Sequence, residues 1–313
     1  MSTSIRHAEP GLTVAGVVGA GLMGRGIAAV LARHGIEVRL FDIDASALAA
    51  AVDALAAQGL PVRAVRSLDE VAWGADFVTE AIAENLTVKQ SVFAQLDAAD
   101  AHAVLATNTS VLPVTSIAER TSRPDRVVGT HWWNPPDLIP VVEVVRGDRT
   151  ADAVVDATVA RLTALGKLAV RVEKDVPGFV GNRIQHALWR EAIALVHEGI
   201  CDAQTVDLVV RNTIGLRLAE MGPIQNADYV GLDLTLAIHD AVLPAINRDP
   251  GPSPLLRRLV AAGRLGAKTG EGFLQWGPGE RDAAASRLAA HVRTQLSERA
   301  RGATPRAEEK ETA

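Results

Sequence analysis

The chain has 313 residues, 48% of them hydrophobic and 22% charged, a balance that supports packed cores without staples and suggests roughly two domains. A formal net charge of −5 argues against a dedicated nucleic-acid binder, and no apolar run reaches the roughly 18 residues of a membrane helix. The single cysteine, Cys201, reads as inert, and one cysteine excludes an intramolecular disulfide and a cysteine-cluster metal site; no residue is singled out as a metal ligand.

Met1–Pro10 is polar with no signal-like apolar segment, which leaves a cytoplasmic protein as the expectation. Thr13–Val18 is short, β-branched and followed by glycines, so it predicts a buried strand. Leu22–His34 has helical spacing and ends at Gly35, where a C-cap belongs. A second strand is predicted at Ile36–Phe41 and an alanine-rich helix at Ala45–Gln58. Further strands are predicted at Asp76–Ile82, Ala103–Asn108, Arg126–Trp132, Val141–Arg146 and Leu168–Val172, with helices at Leu86–Ala99 and Ala151–Leu165. This alternation predicts an α/β domain, a largely parallel, doubly wound sheet with helices on both faces.

After Lys174–Gly178 the rhythm changes. Phe179–His197, Ala203–Asn212, Tyr229–Ile246 and Ser253–Ala262 all read as helices, with no strand among them. The expected division is residues 1–176, an all-α domain over 177–280, and a surface helix at Glu280–Arg301 with a polar tail to residue 313. The tail has no apolar face to bury and is expected to be disordered.

Gly19-Ala-Gly21-Leu-Met-Gly24 follows the first strand and opens the first helix. Gly19 permits the tight turn, Gly21 lets a pyrophosphate approach the backbone, and Gly24 lets helix and strand pack closely. Gly19, Gly21, Leu22, Met23 and Gly24 are therefore the candidate phosphate cradle, aided by the helix dipole. Eighteen residues beyond Gly24, Asp42 ends the next strand, where a carboxylate can hold the ribose hydroxyls and repel a 2′-phosphate. Ile43 and Asp44 offer no arginine for such a phosphate, so NAD is expected rather than NADP. Asp44 reads as the N-cap of the helix that follows.

Removing a hydroxyl proton at neutral pH suits a histidine. Of the eight histidines, His34, His186, His197 and His239 lie in helical patterns, His102 begins a strand, and His7 and His291 sit in terminal segments. His131 stands apart: it ends a strand and precedes Trp132-Trp133-Asn134-Pro135-Pro136. Twelve residues on, Glu143 interrupts the apolar run Val141–Val145. Buried, it needs a partner, and an imidazole would serve. The pattern alone leaves a solvent-facing edge-strand position equally open.

Together these motifs resemble the L-3-hydroxyacyl-CoA dehydrogenase family. The matching stretches are GAGLMG at 19–24, EAIAENLTVK at 80–89, TNTS at 107–110, GTHWWNPP at 129–136, VVEVV at 141–145, VPGFVGNR at 176–183, MGP at 221–223 and GAKTGEGF at 266–273. The resemblance implies a Rossmann-like first domain, a helical second domain that dimerises, and a small hydroxyacyl substrate from fatty-acid metabolism. It implies that His131 is the general base, Glu143 its partner, Ser110 a hydrogen-bond donor to the substrate oxygen, and Asn182 and Asn134 substrate-holding groups. It places Glu84, Lys89 and Asn108 beside the cofactor. Read singly, Ser110 would be a turn residue, Asn182 an ordinary first-turn residue and Lys89 a solvated helix charge.

Relatives that use CoA thioesters carry a long helical hairpin between the ribose acid and the Glu-Ala-Ile strand. Here 38 positions separate Asp42 from Glu80, too few for a long helix plus that hairpin, and the stretch holds Arg63 and Arg66 but no lysine. The double tryptophan and proline run are closer to relatives acting on free acids. Arg217 is a candidate carboxylate anchor, with a solvated helix arginine as the alternative. The expected activity is NAD-dependent oxidation of a 3-hydroxy group to a ketone. The same chemistry on a free hydroxy acid or a hydrated aldehyde, and a non-catalytic NAD-binding protein, are the alternatives.

Overall fold

The computed structural model describes residues 11–302, so the expectations for Met1–Pro10, including His7, and for the tail beyond Gly302 lie outside the described residues. Cα packing divides the chain into two compact units between Arg183 and Ile184.

The first unit alternates strand and helix. Its elements are β1 (Val14–Val18), α1 (Leu22–Arg33), β2 (Glu37–Phe41), α2 (Ala45–Ala56), β3 (Val62–Ala64), α3 (Leu68–Ala72), β4 (Phe77–Glu80), α4 (Leu86–Ala99), β5 (Val104–Thr107), α5 (Val114–Ile117), β6 (Val127–Trp132), β7 (Val141–Val145), α6 (Asp152–Ala164) and β8 (Leu168–Val172). The strands form one sheet in the order β3-β2-β1-β4-β5-β6-β7-β8. Every pairing is parallel except β6 with β7. Chain order reverses between β1 and β4, the switch point where open α/β sheets bind ligands beyond the strand ends.

Helices on both faces explain why β4, β5 and β6 are buried at every residue. One core holds Ile27 and Leu31 of α1, Leu55 of α2 and Leu162 of α6. The opposite core holds Val71 of α3, Phe93 and Leu96 of α4 and Ile117 of α5. Each fully buried leucine or phenylalanine contributes about 1.5–3 kcal/mol. Asp44 caps α2 as expected, accepting from the amides of Ser46 and Ala47.

The second unit is helical. Its elements are α7 (Gly181–His197), which begins at the end of the first unit, α8 (Ala203–Asn212), α9 (Ile214–Leu218), α10 (Pro223–Val230), α11 (Leu232–Val242), α12 (Pro254–Ala261) and α13 (Glu280–Gly302). The surface helix expected at Glu280–Arg301 is therefore present. None of the helices in the described residues is long and apolar enough to cross a membrane.

Three differences from the sequence expectations have physical causes. β3 has only three residues, too few for a period, and exists through its pairing with β2. The five-residue α3 depends on a local cap, with Ser67 accepting from the Glu70 amide. The single helix expected over Tyr229–Ile246 is split, because Gly231 takes a φ of 98° and separates α10 from α11.

Candidate active site

The loop after β1 and the start of α1 fit a bound dinucleotide. Gly19 has a φ of 104°, and a Cβ on Gly24 would lie 1.8 Å from the Gly19 carbonyl oxygen, so neither position takes a side chain without moving the turn. A Cβ on Gly21 would meet nothing within 4 Å, which leaves that side of the loop open. No side chain caps α1, so the amides of its first turn are available to an anion. The Asp42 carboxylate sits at this loop, accepting from the amides of Ala20 at 2.7 Å and Asp44 at 2.9 Å. Its remaining lone pairs can receive ribose hydroxyls. These residues fit NAD.

Glu84, Asn108 and Ser110 follow the ends of β4 and β5, and His131 lies near the end of β6, at the same carboxyl end of the parallel strands as the glycine loop. In the antiparallel β6–β7 ladder His131 is directly opposite Glu143. Cross-strand partners share a sheet face, so the two side chains meet. Glu143 Oε2 lies 2.7 Å from His131 Nδ1, with both residues buried. The solvent-facing alternative for Glu143 is thus overturned: β7 lies between β6 and β8 rather than at an edge. Burial acts to raise the Glu143 carboxyl, but hydrogen bonds from His131 and from the amides of Gly181 and Val180 outweigh it and hold the group below its ordinary range. Because Nδ1 faces the carboxylate, Nε2 is the ring nitrogen that can accept a proton. The imidazole is flanked by Trp133 at 5.1 Å and Phe179 at 5.8 Å between ring centroids.

The Ser110 backbone is held from two sides. Its amide donates to Glu84 Oε1 at 2.5 Å, and its carbonyl accepts from Asn182 Nδ2 at 3.1 Å. Asn182 therefore contacts the serine segment itself. Asn108 Oδ1 accepts from the Trp132 amide at 2.9 Å and ties the end of β5 to the end of β6. Asn134 is exposed in the loop after β6, where the Asn134–Pro135 peptide is cis. Arg217 is exposed on α9 of the second unit.

Lys89 is not the solvated charge its helix position suggests. It is 1% exposed, with Nζ 2.6 Å from Glu80 Oε1 and 3.3 Å from Glu84 Oε2. Glu80, fully buried at the end of β4, also accepts from the Ile82 amide and the Thr107 hydroxyl. Burial pushes its carboxyl up against the pull of Lys89 and those hydrogen bonds. Glu84 in turn accepts from the Thr109 hydroxyl at 2.9 Å. Sequence reasoning gives Glu80 and Thr109 no role in the site, although both stand in the matching stretches and Glu80, closing the apolar run Phe77-Val-Thr-Glu, carries the same signal as Glu143. The amides of Val180 and Gly181, at 2.9 and 3.0 Å from Glu143 Oε1, left no sequence signal because every residue but proline has one.

Comparisons with known proteins agree with this picture. The family description "3-hydroxyacyl-CoA dehydrogenase, NAD binding domain" matches residues 14–61 and 60–176, and the C-terminal domain of the same family matches residues 178–276. A probable 3-hydroxybutyryl-CoA dehydrogenase of Bacillus subtilis is 39% identical over 280 residues, 83% of this chain and 96% of its own. The crystal structure of a 5-formyl-3-hydroxy-2-methylpyridine 4-carboxylic acid 5-dehydrogenase, described as an NAD+-dependent dismutase, superposes with a TM-score of 0.85. It is 32% identical and covers 92% of this chain and 98% of its own. The (S)-3-hydroxybutyryl-CoA dehydrogenase of Ralstonia eutropha is 34% identical, with a TM-score of 0.68, covering 85% of this chain and 100% of its own.

Proposed function

The chain belongs to the 3-hydroxyacyl-CoA dehydrogenase family, and from that premise we propose that it oxidises the secondary 3-hydroxyl of a small acyl substrate to a ketone, using His131 as general base. NAD, when bound, would supply the hydride acceptor. His131 Nε2 takes the hydroxyl proton, and Glu143 keeps the other ring nitrogen protonated and offsets the imidazolium charge. The Ser110 hydroxyl orients the substrate oxygen, while Asn134 and Asn182 hold the substrate. Glu84, Lys89 and Asn108 shape the nicotinamide end of the site, and Gly19, Gly21, Leu22, Met23, Gly24 and Asp42 bind the rest of the cofactor. The observation that carries this reading is the buried cross-strand pair of His131 and Glu143, with His131 near the same carboxyl end of the strands as the glycine loop.

The test is NADH formation from 3-hydroxybutyryl-CoA beside a panel of free hydroxy acids and hydrated aldehydes, with His131→Gln as control. Turnover on none of them by the wild-type chain would refute the enzymatic reading and favour a non-catalytic NAD-binding role. A specific observation supports a second reading, oxidation of a free acid or hydrated aldehyde. The pyridine-carboxylate dehydrogenase superposes at 0.85 and the hydroxybutyryl-CoA enzyme at 0.68. The segment between β2 and β4 holds only the 12-residue α2, β3 and the five-residue α3. Arg63 and Arg66 there are exposed, and Arg217, exposed on α9, is the candidate carboxylate anchor by its residue type.

We further assign cofactor binding to residues up to 176 and substrate binding and dimerisation to residues 177–280, in line with the family matches on either side of residue 177. A homodimer is supported by the apolar side chains that α8–α11 expose, among them Leu208, Leu216, Ile224, Leu232 and Leu236. Sedimentation as a strict monomer would refute it. A cytoplasmic location accords with a chain whose single cysteine leaves it without an internal disulfide.

A further inference from the structure

The turn that closes the first unit touches both halves of the catalytic constellation. The amides of Val180 and Gly181 donate to Glu143 Oε1, leaving Oε2 for His131. Asn182 donates to the carbonyl of Ser110. The Phe179 ring flanks the imidazole, and Gly181 lies so close under Trp133 that a Cβ there would sit 2.2 Å from the indole. These contacts depend on two successive left-handed residues, Gly178 with a φ of 80° and Phe179 with a φ of 47°. Glycine adopts that conformation freely, whereas a bulky side chain rarely does. Phe179 is nevertheless 1% exposed and held there by its packing. A non-glycine residue kept in this region beside a site is a mark of a positioning role.

We propose that the left-handed Gly178–Phe179 turn positions the base pair of this enzyme: it aims two amides at Glu143, so that this carboxylate meets His131 through one oxygen, and it clamps Ser110 from the same five-residue stretch. The proposal rests on the assignment of His131 and Glu143 as base and partner. Two amides on Oε1 draw off part of the carboxylate charge that would otherwise bind the imidazolium. Without them Glu143 keeps more of its charge for the ring and holds the Nδ1 proton more tightly. His131 is the titratable group in contact with Glu143. On β8 the residue opposite is Val170, and the adjacent Arg171 is bound by Asp152, Asp156 and Glu173.

Gly178→Val and Gly178→Asn separate conformation from bulk. The nearest atoms to a Cβ at position 178 lie 3.5 Å away, so either side chain begins in open contact. Asparagine tolerates the left-handed region, and β-branched valine does not. In the 313-residue chain, 15N-histidine NMR follows the His131 ring, identified by its loss in His131→Gln. Gly178→Val is expected to raise the midpoint by about 0.5–1 pH unit and to move the acid limb of kcat/KM with it, while kcat falls about tenfold. Gly178→Asn is expected to leave all three near wild type. An unmoved midpoint in Gly178→Val, or an equal shift in Gly178→Asn, overturns the proposal. If Gly178→Val does not fold, Gly178→Ala is expected to shift in the same direction by less, and no shift there overturns it equally. Undiminished turnover in His131→Gln would instead bring down the base assignment itself. An inactive His131→Gln beside an unshifted Gly178→Val removes only the role of the turn.

Discussion

Replacing Glu143 with glutamine keeps the size of the side chain and removes its charge. The amides of Val180 and Gly181 require an acceptor, so the glutamine oxygen must take the Oε1 position. Its amide NH2 then faces His131 Nδ1 and donates to it, which moves the ring proton to Nε2, where it blocks proton acceptance from substrate. The lost ion pair adds to this. Unit charges about 4 Å apart interact by about 4 kcal/mol at an effective dielectric near 20, and a half-transferred proton senses about half of that. Two kcal/mol is about 30-fold and four is about a thousandfold, so charge and tautomer together should lower kcat by about 10²–10⁴. NAD affinity should change by less than about twofold, because Glu143 lies on β7 and the candidate phosphate cradle follows β1. Single-turnover NADH formation measures the first and calorimetric titration the second. A Glu143→Gln enzyme within about threefold of the wild-type rate would refute the reasoning.

Asp42→Ala should weaken NAD binding by about tenfold and narrow the discrimination against NADP, as measured by titration with both cofactors; an unchanged preference would show that Asp42 only braces the Ala20 amide. Lys89→Met leaves Glu80 buried without its cation and should cost about 3–5 kcal/mol in a denaturant melt, whereas a loss below about 1 kcal/mol would mean that the pair is weak. Asp97 is buried, and although burial acts to raise its carboxyl, hydrogen bonds from Arg126 and the Ser122 amide and the charges of Arg126 and Arg123 hold it below 3.8. Its native value lies below its unfolded one, so the stability it supplies is full above about pH 4 and is lost as pH falls through the native value. Asp97→Asn should therefore lower Tm at pH 7 by an amount that shrinks towards pH 3, and a pH-independent difference would sink that explanation.

The glycine loop, Asp42 and the Asp44 cap were legible in the chain because each works through residues close in sequence: a strand, a turn and the first turn of a helix. The alternation of elements likewise announced a doubly wound sheet, since burial on both faces demands continuous apolar strands. His131 stood out by its place before the double tryptophan. What spacing could not decide was the company these residues keep. Twelve residues between His131 and Glu143 place them opposite each other only because β6 and β7 run antiparallel in one register, and a slip of one residue would turn them to opposite faces. Lys89 looked like a surface charge because its helix pattern says nothing of the carboxylate that β4 brings beneath it. The amides of Val180 and Gly181 matter through their direction, set by two left-handed residues and not by side-chain identity. Local chemistry was thus written along the chain, while strand pairing, burial and amide direction arise only when distant segments pack, because they are properties of relative position in space.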